Sequence, residues 1–383
     1  MSKPRFVRVS FCALAFPVAL GCGEVVEAED GDAGEPADAD DSTGAADAAP
    51  PEPNTAFATS ETFTGDFGGL SGADATCQQI ADDAELPGTY VAWLSDNTIS
   101  AIARVGDARG WVRPDGKPFV DTADDLASGE IFHPLRIDES GSDLAGSEPA
   151  GVWTGTLADG TAGADRCAEW SSAEEGDDGV AGRMSAATVT WTDDEAEDCD
   201  SEHRLYCLGV DREARVEPAQ ASGRVAFVTE EPYTPQSGQL DAADELCDQE
   251  ADAAGLGGTF KALLAVESDA MADRFDTGGD PWIRPDGVVI AETASDLFFA
   301  EYWDAALNVS ADGQTYLDGE AWSGAETPAQ TGSTDTCGNW GQEDSNLSAV
   351  VGRVEHTKLR EPGAIEAGFE SCDEAERVRC LEE

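Results

Sequence analysis

The strongest constraint on this chain is a pattern of four cysteines that occurs twice. The first set is Cys77, Cys167, Cys199 and Cys207, and the second is Cys247, Cys337, Cys372 and Cys380. Successive cysteines are 90, 32 and 8 residues apart in the first set, and 90, 35 and 8 apart in the second. The chain is therefore predicted to be a tandem duplication, with a period of about 170 residues that suits a domain rather than a solenoid repeat.

Shorter motifs recur in the same order between these cysteines. The first members are Leu-Pro-Gly-Thr-Tyr at 86–90, Trp-Val-Arg-Pro-Asp-Gly at 111–116, Val-Trp-Thr-Gly at 152–155 and Cys-Ala-Glu-Trp at 167–170. Their partners are Leu-Gly-Gly-Thr-Phe at 256–260, Trp-Ile-Arg-Pro-Asp-Gly at 282–287, Ala-Trp-Ser-Gly at 321–324 and Cys-Gly-Asn-Trp at 337–340. Chance does not produce this order at these distances. We predict a first copy at 55–209, a linker at 210–223 and a second copy at 224–383.

The N-terminus has the pattern of a secretion signal at 1–21. Basic residues at 3, 5 and 8 precede an apolar run at 9–20, which is too short to span a bilayer as a mature helix. The run ends in Ala-Leu-Gly-Cys, which resembles the lipobox of bacterial lipoproteins and predicts lipidation of Cys22. The alternative is a plain signal peptide with an incidental Cys22. Gly23 is not the aspartate that retains some lipoproteins at the inner membrane, so we expect a lipid anchor at the outer membrane or cell surface.

Residues 22–54 are predicted to be an acidic, disordered tether. The segment is rich in Asp, Glu, Ala, Gly and Pro and contains no Lys or Arg. It therefore lacks the apolar surface needed to offset the entropy of ordering a chain.

The charge of the chain restricts its partners. There are 79 acids against 22 bases, for a net charge of −57. Such a surface repels nucleic acid, heparin-like polyanions and anionic lipid headgroups. Contact with a membrane is expected only through the N-terminal lipid.

The cysteines predict disulfides. Of ten in all, Cys12 lies in the signal and Cys22 is the predicted lipid site, which leaves eight in an exported chain. Four cysteines per copy allow three pairings, and the sequence alone does not choose among them.

Periodicity predicts α+β copies with short antiparallel strands, one or two helices and long loops. Helices are expected at 73–84 and 241–254, each carrying the first cysteine of its copy. Strands are expected at 90–94, 260–264, 205–208 and 378–381, and two more are expected to begin at Trp153 and Trp322.

The ordered motifs resemble the C-type-lectin-like fold, and within it the endostatin branch that also occurs in bacterial surface lipoproteins. The supporting segments are the helix with a cysteine, the Leu-x-Gly-Thr-aromatic run, Val-Trp-x-Gly and Cys-x-x-Trp. The resemblance covers about residues 55–208 and 224–381. It implies two tandem domains with nested disulfides, which are Cys77–Cys207, Cys167–Cys199, Cys247–Cys380 and Cys337–Cys372.

The metal-binding residues known in this family are largely missing from the chain. The three histidines, His133, His203 and His356, show no metal spacing and do not recur between copies. No nucleophile elbow or phosphate loop occurs, so we expect no enzyme and no cofactor. Calcium is the alternative cofactor, through Asp193 and Asp194, although a solvated acidic loop explains them better.

We expect a non-enzymatic lipoprotein whose modules recognise an extracellular protein or glycan. The repeated Trp111 and Trp282 are candidate contact residues for such a ligand, although a core role is the more common one for a repeated tryptophan. The alternatives are a calcium-dependent lectin, an acidic structural protein of the envelope, and a hydrolase with an unfamiliar site.

Overall fold

Each copy is built around a strand that carries its last cysteine. The computed structural model describes residues 51–236, 239–332, 334–360 and 363–383. Cys22, the predicted signal and nearly all of the predicted tether lie outside these ranges. The fold is mixed α+β, with few helices and several small sheets.

The first copy has eight strands in one sheet. They are β1 (Asn54–Ala58), β2 (Tyr90–Ala92), β3 (Trp111–Val112), β4 (Pro118–Val120), β5 (Gly151–Trp153), β6 (Asp178–Arg183), β7 (Glu195–Asp198) and β8 (Arg204–Gly209). Their order is β4-β3-β1-β8-β5-β6-β7, and β2 pairs with β8 off this path. Most pairs are antiparallel as predicted, but β1–β3 and β5–β8 are parallel.

The second copy divides the corresponding strands between two sheets. They are β9 (Arg224–Val228), β10 (Phe260–Ala262), β11 (Trp282–Ile283), β12 (Glu320–Trp322), β13 (Ser348–Arg353), β14 (Gly368–Ser371) and β15 (Arg379–Glu382). The orders are β10-β15-β9-β11 and β12-β13-β14. A single parallel bridge between Ala321 and Arg377 stands where β5 and β8 form a ladder in the first copy.

The helices are short except for the first in each copy. They are Leu70–Asp83, Ala101–Arg104, Ala123–Ser128, Gln239–Ala254 and Asp296–Phe299, with 3-10 turns at Val189–Trp191 and Met271–Arg274. The first long helix covers the predicted 73–84 except for its last residue, and the second covers the predicted 241–254. None of the helices in the described ranges is both long and apolar enough to cross a membrane.

The central strand of each copy is buried on both faces, and its side chains alternate between two cores. In β8, Tyr206 and Leu208 pack with Trp93, Trp111 and Trp191 on one face. The alternate residues of β8 face the other core, which holds the disulfides and the long helix. The strand therefore reads as a continuous apolar run.

Four disulfides fix these cores. Cys77 bonds to Cys207, Cys167 to Cys199, Cys247 to Cys380 and Cys337 to Cys372. These are the nested pairs that the resemblance implies. In each copy the outer bond ties the long helix to the central strand, across 130 residues in the first copy and 133 in the second.

The Cys-x-x-Trp motifs form left-handed helical turns. All four residues from Cys167 to Trp170 have φ between 47° and 64°, and Cys337 to Trp340 repeat this with φ from 50° to 66°. Each turn is closed by a backbone bond from the tryptophan N–H to the residue four before it, at 2.8 Å. Left-handed turns of L-residues are costly, so the disulfide and the buried tryptophan hold the chain in this state.

Two of the predicted strands are displaced. Trp153 and Trp322 were expected to begin strands, but they end β5 and β12. The residue after each tryptophan still donates to the neighbouring strand, and then a glycine with positive φ turns the chain away: Gly155 has φ 54° and Gly324 has φ 78°. The glycine of the Trp-x-Gly motif thus marks where the strand stops.

The two copies contact each other through equivalent segments. The N–H of Ala187 donates to the carbonyl of Glu355 at 3.1 Å, and the N–H of Thr357 donates to the carbonyl of Ser185 at 3.0 Å. Ala186 and His356 form the bridge between these bonds. Because 185–187 and 355–357 follow the same Gly-Arg pair in each copy, the contact has the self-complementary pattern of a two-fold dimer within one chain.

Side chains add to this contact unequally. Arg136 is 3% exposed and its Nη1 donates to the carbonyl of Trp303 at 2.5 Å, across the junction. Ala306 of the second copy packs in the tryptophan-rich core of the first. Ala214 and Val216 of the predicted linker are buried. Residues 50–383 accordingly form one compact unit.

Candidate functional site

The most polar concave surface lies where β5 and β6 end. Gly151 pairs with Arg183 at the end of this ladder, so the Arg183 side chain leaves the sheet beside the loop at 148–150. Its guanidinium Nε and Nη2 donate to Asp194 Oδ2 at 2.9 and 2.5 Å. The paired carboxylate fixes the orientation of the guanidinium, and both side chains remain about one-fifth exposed.

Two adjoining cavities open around Arg183. One has a volume of about 210 Å3 and extends to Glu195, Glu197 and His203. The other has a volume of about 120 Å3 and extends toward the second copy. Because both are lined by Glu148, Ala150 and Arg183, we treat them as one feature, the copy-one groove.

The end of the groove near β7 is acidic. Register places Glu195 and Glu197 of β7 opposite Ala181 and Gly179 of β6. Partial burial, and then the neighbouring Glu195 and Asp198 carboxylates, raise the pKa of Glu197. This end therefore presents hydrogen-bond acceptors.

His203 forms the floor of this acidic end. The imidazole is 8% exposed and lies edge-on to Trp153, with ring centres 4.5 Å apart. Burial lowers the pKa of His203. The ring is therefore neutral at physiological pH.

The other end of the groove is completed by the second copy. Tyr302 and Lys358 line it together with Arg136 of the first copy. The Arg136 guanidinium carbon lies 5.6 Å from the centre of the Tyr302 ring. Burial raises the pKa of the Tyr302 hydroxyl, which stays protonated and can donate as well as accept.

The groove has no equivalent in the second copy among the described residues. Arg353 occupies the position of Arg183, but its side chain is 45% exposed and its nearest carboxylate is Glu320 at 3.6 Å. The acids around it, Glu320 on β12 and Glu370 on β14, are half-buried. One of their neighbours, Glu376, has its pKa raised to about 7 by burial and then by Glu320, Glu370 and Glu374.

The two predicted contact tryptophans lie in the cores instead. Trp111 is 0% exposed and Trp282 is 1% exposed. Their indole N–H groups donate to the carbonyls of Gly209 at 2.8 Å and Glu382 at 2.9 Å. A ligand cannot reach either ring, which corrects the surface interpretation in favour of a core role.

The carboxylates of the two candidate calcium ligands bond to other groups of the protein. Asp193 Oδ2 accepts from the N–H of Ala158 at 3.1 Å, and Asp194 is paired with Arg183. In the part of the chain that the structure describes, no three His, Cys, Asp or Glu side chains converge as a metal site.

Sequence reasoning missed Arg183 and the role of His203. A signal for Arg183 does exist, since Val-Ala-Gly-Arg at 180–183 repeats as Val-Val-Gly-Arg at 350–353. What distinguishes Arg183 from Arg353 is the surrounding loops, which the motif does not encode.

Comparison with known proteins does not identify a relative of this chain, so the groove is the main evidence on function. No protein-family model matches the chain, and no curated protein matches it significantly.

Proposed function

We propose that the chain is an exported, lipid-anchored binding protein of C-type-lectin-like architecture, and that the copy-one groove binds a neutral, hydroxyl-rich glycan. The proposal assigns no catalytic step and no cofactor to the groove. The observation that carries it is the combination of carboxylate acceptors and an oriented guanidinium in one small concave surface.

The chemistry of the groove suits hydroxyl groups. A sugar hydroxyl donates to a carboxylate and accepts from a guanidinium or a tyrosine hydroxyl, and these partners line the groove at Glu148, Arg183 and Tyr302. Ligand sites commonly place a few fixed polar groups in a preformed cavity. Arg183 is held by Asp194, so binding requires little ordering of that side chain.

Charge favours a neutral ligand. The net charge of −57 disfavours sulfated or phosphorylated glycans, and the charged groups at the β7 end of the groove are mostly carboxylates. A protein ligand is the second candidate, because Lys358 and Tyr302 extend the groove across the junction of the copies. Calcium has no part in either proposal.

Binding of neutral glycans to the mature chain tests the proposal. An array identifies a ligand, and titration calorimetry then measures its affinity for the parent protein and for Arg183→Ala. We expect the substitution to weaken binding at least tenfold, because it removes a charged hydrogen-bond donor. Addition of EDTA should leave the affinity unchanged.

Arg353→Ala is the matched control, since Arg353 holds the equivalent position in the second copy outside any groove. It should bind as the parent does. Equal loss of affinity in both variants, or an array with no neutral glycan bound, would contradict the proposal; an array that binds only acidic glycans would overturn the charge argument.

A further inference from the structure

A second cavity lies between the two copies, away from the copy-one groove. Its volume is about 510 Å3, which falls within the usual range for small-molecule pockets. Three segments bound it, which are residues 116–118 of the first copy, 287–289 of the second and 218–221 between them. The cavity therefore exists only where both copies and their connecting segment meet.

The walls of this inter-copy cavity are mostly apolar. Pro118, Pro218, Val288 and Val289 line it, with two alanines of the connecting segment. Val288 is 1% exposed, so it is fixed in the core rather than free to fill the space. An apolar molecule that enters would gain free energy in proportion to the surface it buries.

His133 contributes a polar side chain to the wall. The residue is 5% exposed, and its Nδ1 is 2.8 Å from the carbonyl oxygen of Pro118. A carbonyl only accepts, so Nδ1 carries the hydrogen and Nε2 is left with a lone pair. No hydrogen bond to this Nε2 is found among the residues that the structure describes.

The imidazole keeps this form over a wide pH range. Burial, and then the positive charge of Arg113, lower the pKa of His133 to about 3. Nε2 therefore remains an acceptor at neutral pH.

The charged groups at the edge of the cavity are already paired. Lys117 of the first copy contacts Glu292 at 3.1 Å and Asp304 at 3.3 Å, both in the second copy. With its ammonium engaged by two carboxylates, and with a net charge of −57 on the chain, the cavity offers little to an anion.

We propose that the inter-copy cavity binds a neutral, largely apolar small molecule with one N–H or O–H donor, which donates to His133 Nε2. This site is independent of the copy-one groove and of the glycan proposed there. Apolar walls supply the binding free energy, and the histidine selects molecules that carry a donor.

Indole and indene are suitable probes, because they have nearly the same shape and only indole has an N–H. Their affinities for the mature chain are measured by ligand-observed NMR titration. We expect indole to bind about fivefold more tightly than indene, because it forms one additional hydrogen bond. In protein labelled with 15N-histidine, which has three imidazoles to assign, the Nε2 signal of His133 should move upfield with indole and stay unchanged with indene.

Two variants complete the test. Val289→Trp fills the cavity from a half-buried position and should abolish binding of both probes without lowering the melting temperature. His133→Phe keeps a ring but removes the acceptor, and should equalise the two affinities. Absence of binding by either probe to the parent protein, equal parental affinities, or an unmoved Nε2 signal would each overturn the proposal.

Discussion

The two copies share their covalent framework and differ where they meet. In both, the outer disulfide joins the long helix to the central strand, and the Cys-x-x-Trp segment makes a left-handed turn. The segments that follow Arg183 and Arg353 have the same backbone path but different side chains. Divergence at the junction has therefore produced one groove and one asymmetric interface from two similar halves.

Arg136 and Asn308 illustrate this asymmetry. Arg136 precedes Ile137, whose carbonyl accepts from the N–H of Ala58 in β1. Asn308 precedes Val309, whose carbonyl accepts from the N–H of Val228 in β9. The two positions are therefore equivalent. Arg136 reaches across the junction to the Trp303 carbonyl and to Thr357, whereas Asn308 donates to the Tyr316 carbonyl within its own copy.

Arg136→Asn would replace the crossing side chain with its counterpart and should have the largest effect. We expect the free energy of unfolding to fall by about 3 kcal/mol, because the buried Trp303 carbonyl loses a charged donor and a cavity is left. Urea denaturation followed by tryptophan fluorescence measures this change.

Lys117→Ala is the control for the Arg136 prediction. Lys117 also crosses the junction, but its partly exposed ammonium pairs with Glu292 and Asp304, and its loss should cost less than about 1 kcal/mol. If the two substitutions cost the same, burial of the crossing contact is not what stabilises the junction.

A second difference concerns Ser185 and Tyr206, whose places are taken by Glu355 and Arg379. Both replacements are buried, at 2% and 1% exposure, and the backbone carbonyl of Glu355 accepts from Ala187 across the junction. Burial raises the pKa of the Glu355 carboxyl from 4.5 to about 7, against the opposing effect of Arg353 and Arg379. Folding therefore favours the protonated carboxyl, and the folded state loses stability as the pH rises from 4.5 to 7.

The double substitution Glu355→Ser with Arg379→Tyr gives the second copy the residues of the first. We expect the free energy of unfolding at pH 8 to be about 2 kcal/mol higher than that of the parent, because two desolvated charges are removed. This difference in the free energy of unfolding should shrink toward pH 4.5, because Glu355 is then protonated in the folded parent. Urea denaturation at pH 4.5, 6 and 8 measures the difference.

Glu376 titrates in a similar range but is unchanged in this comparison, so the difference between the two proteins isolates the Glu355–Arg379 pair. A gain of the same size at every pH would show that packing, not ionisation, separates the two copies at these positions.

The left-handed turns give the smallest expected effect. The middle residues are Ala168 and Glu169 in the first copy, and Gly338 and Asn339 in the second. Glycine and asparagine tolerate positive φ best, so the second turn carries less strain.

Ala168→Gly should stabilise the protein by about 0.5–1 kcal/mol, because relief of the strained φ exceeds the entropy cost of glycine. Gly338→Ala should destabilise it by a similar amount. Thermal unfolding measured by circular dichroism compares them, and a shift of the same sign in both variants would refute the account.

Much of the scaffold could be predicted from the cysteines and the periodicity. The two long helices, the strands at Tyr90 and Phe260 and the last strand of each copy lie close to the predicted positions. Local patterns suffice there, because burial on one or two faces imposes a regular spacing of apolar residues. The ends of β5 and β12 were misplaced, since a hydrogen-bonded strand partner far along the chain decides where a strand stops.

The candidate site was much less predictable. Trp111 and Trp282 stood out in the sequence because they repeat, and they repeat because each fills a core. Arg183 and His203 attracted no such attention. Their proximity depends on loops that lie side by side only after β5, β6 and β8 have paired.

The sequence by itself determined that the chain is duplicated, that it has four cysteines per copy and that it carries a net charge of −57. These properties follow from composition and spacing, which need no folded coordinates. Only the tertiary structure decided that residues 185–187 and 355–357 pair with each other, that a cavity opens between the copies and that one arginine of an equivalent pair lies in a groove. Such features arise from contacts between residues far apart in sequence, and no local pattern records which distant surfaces meet.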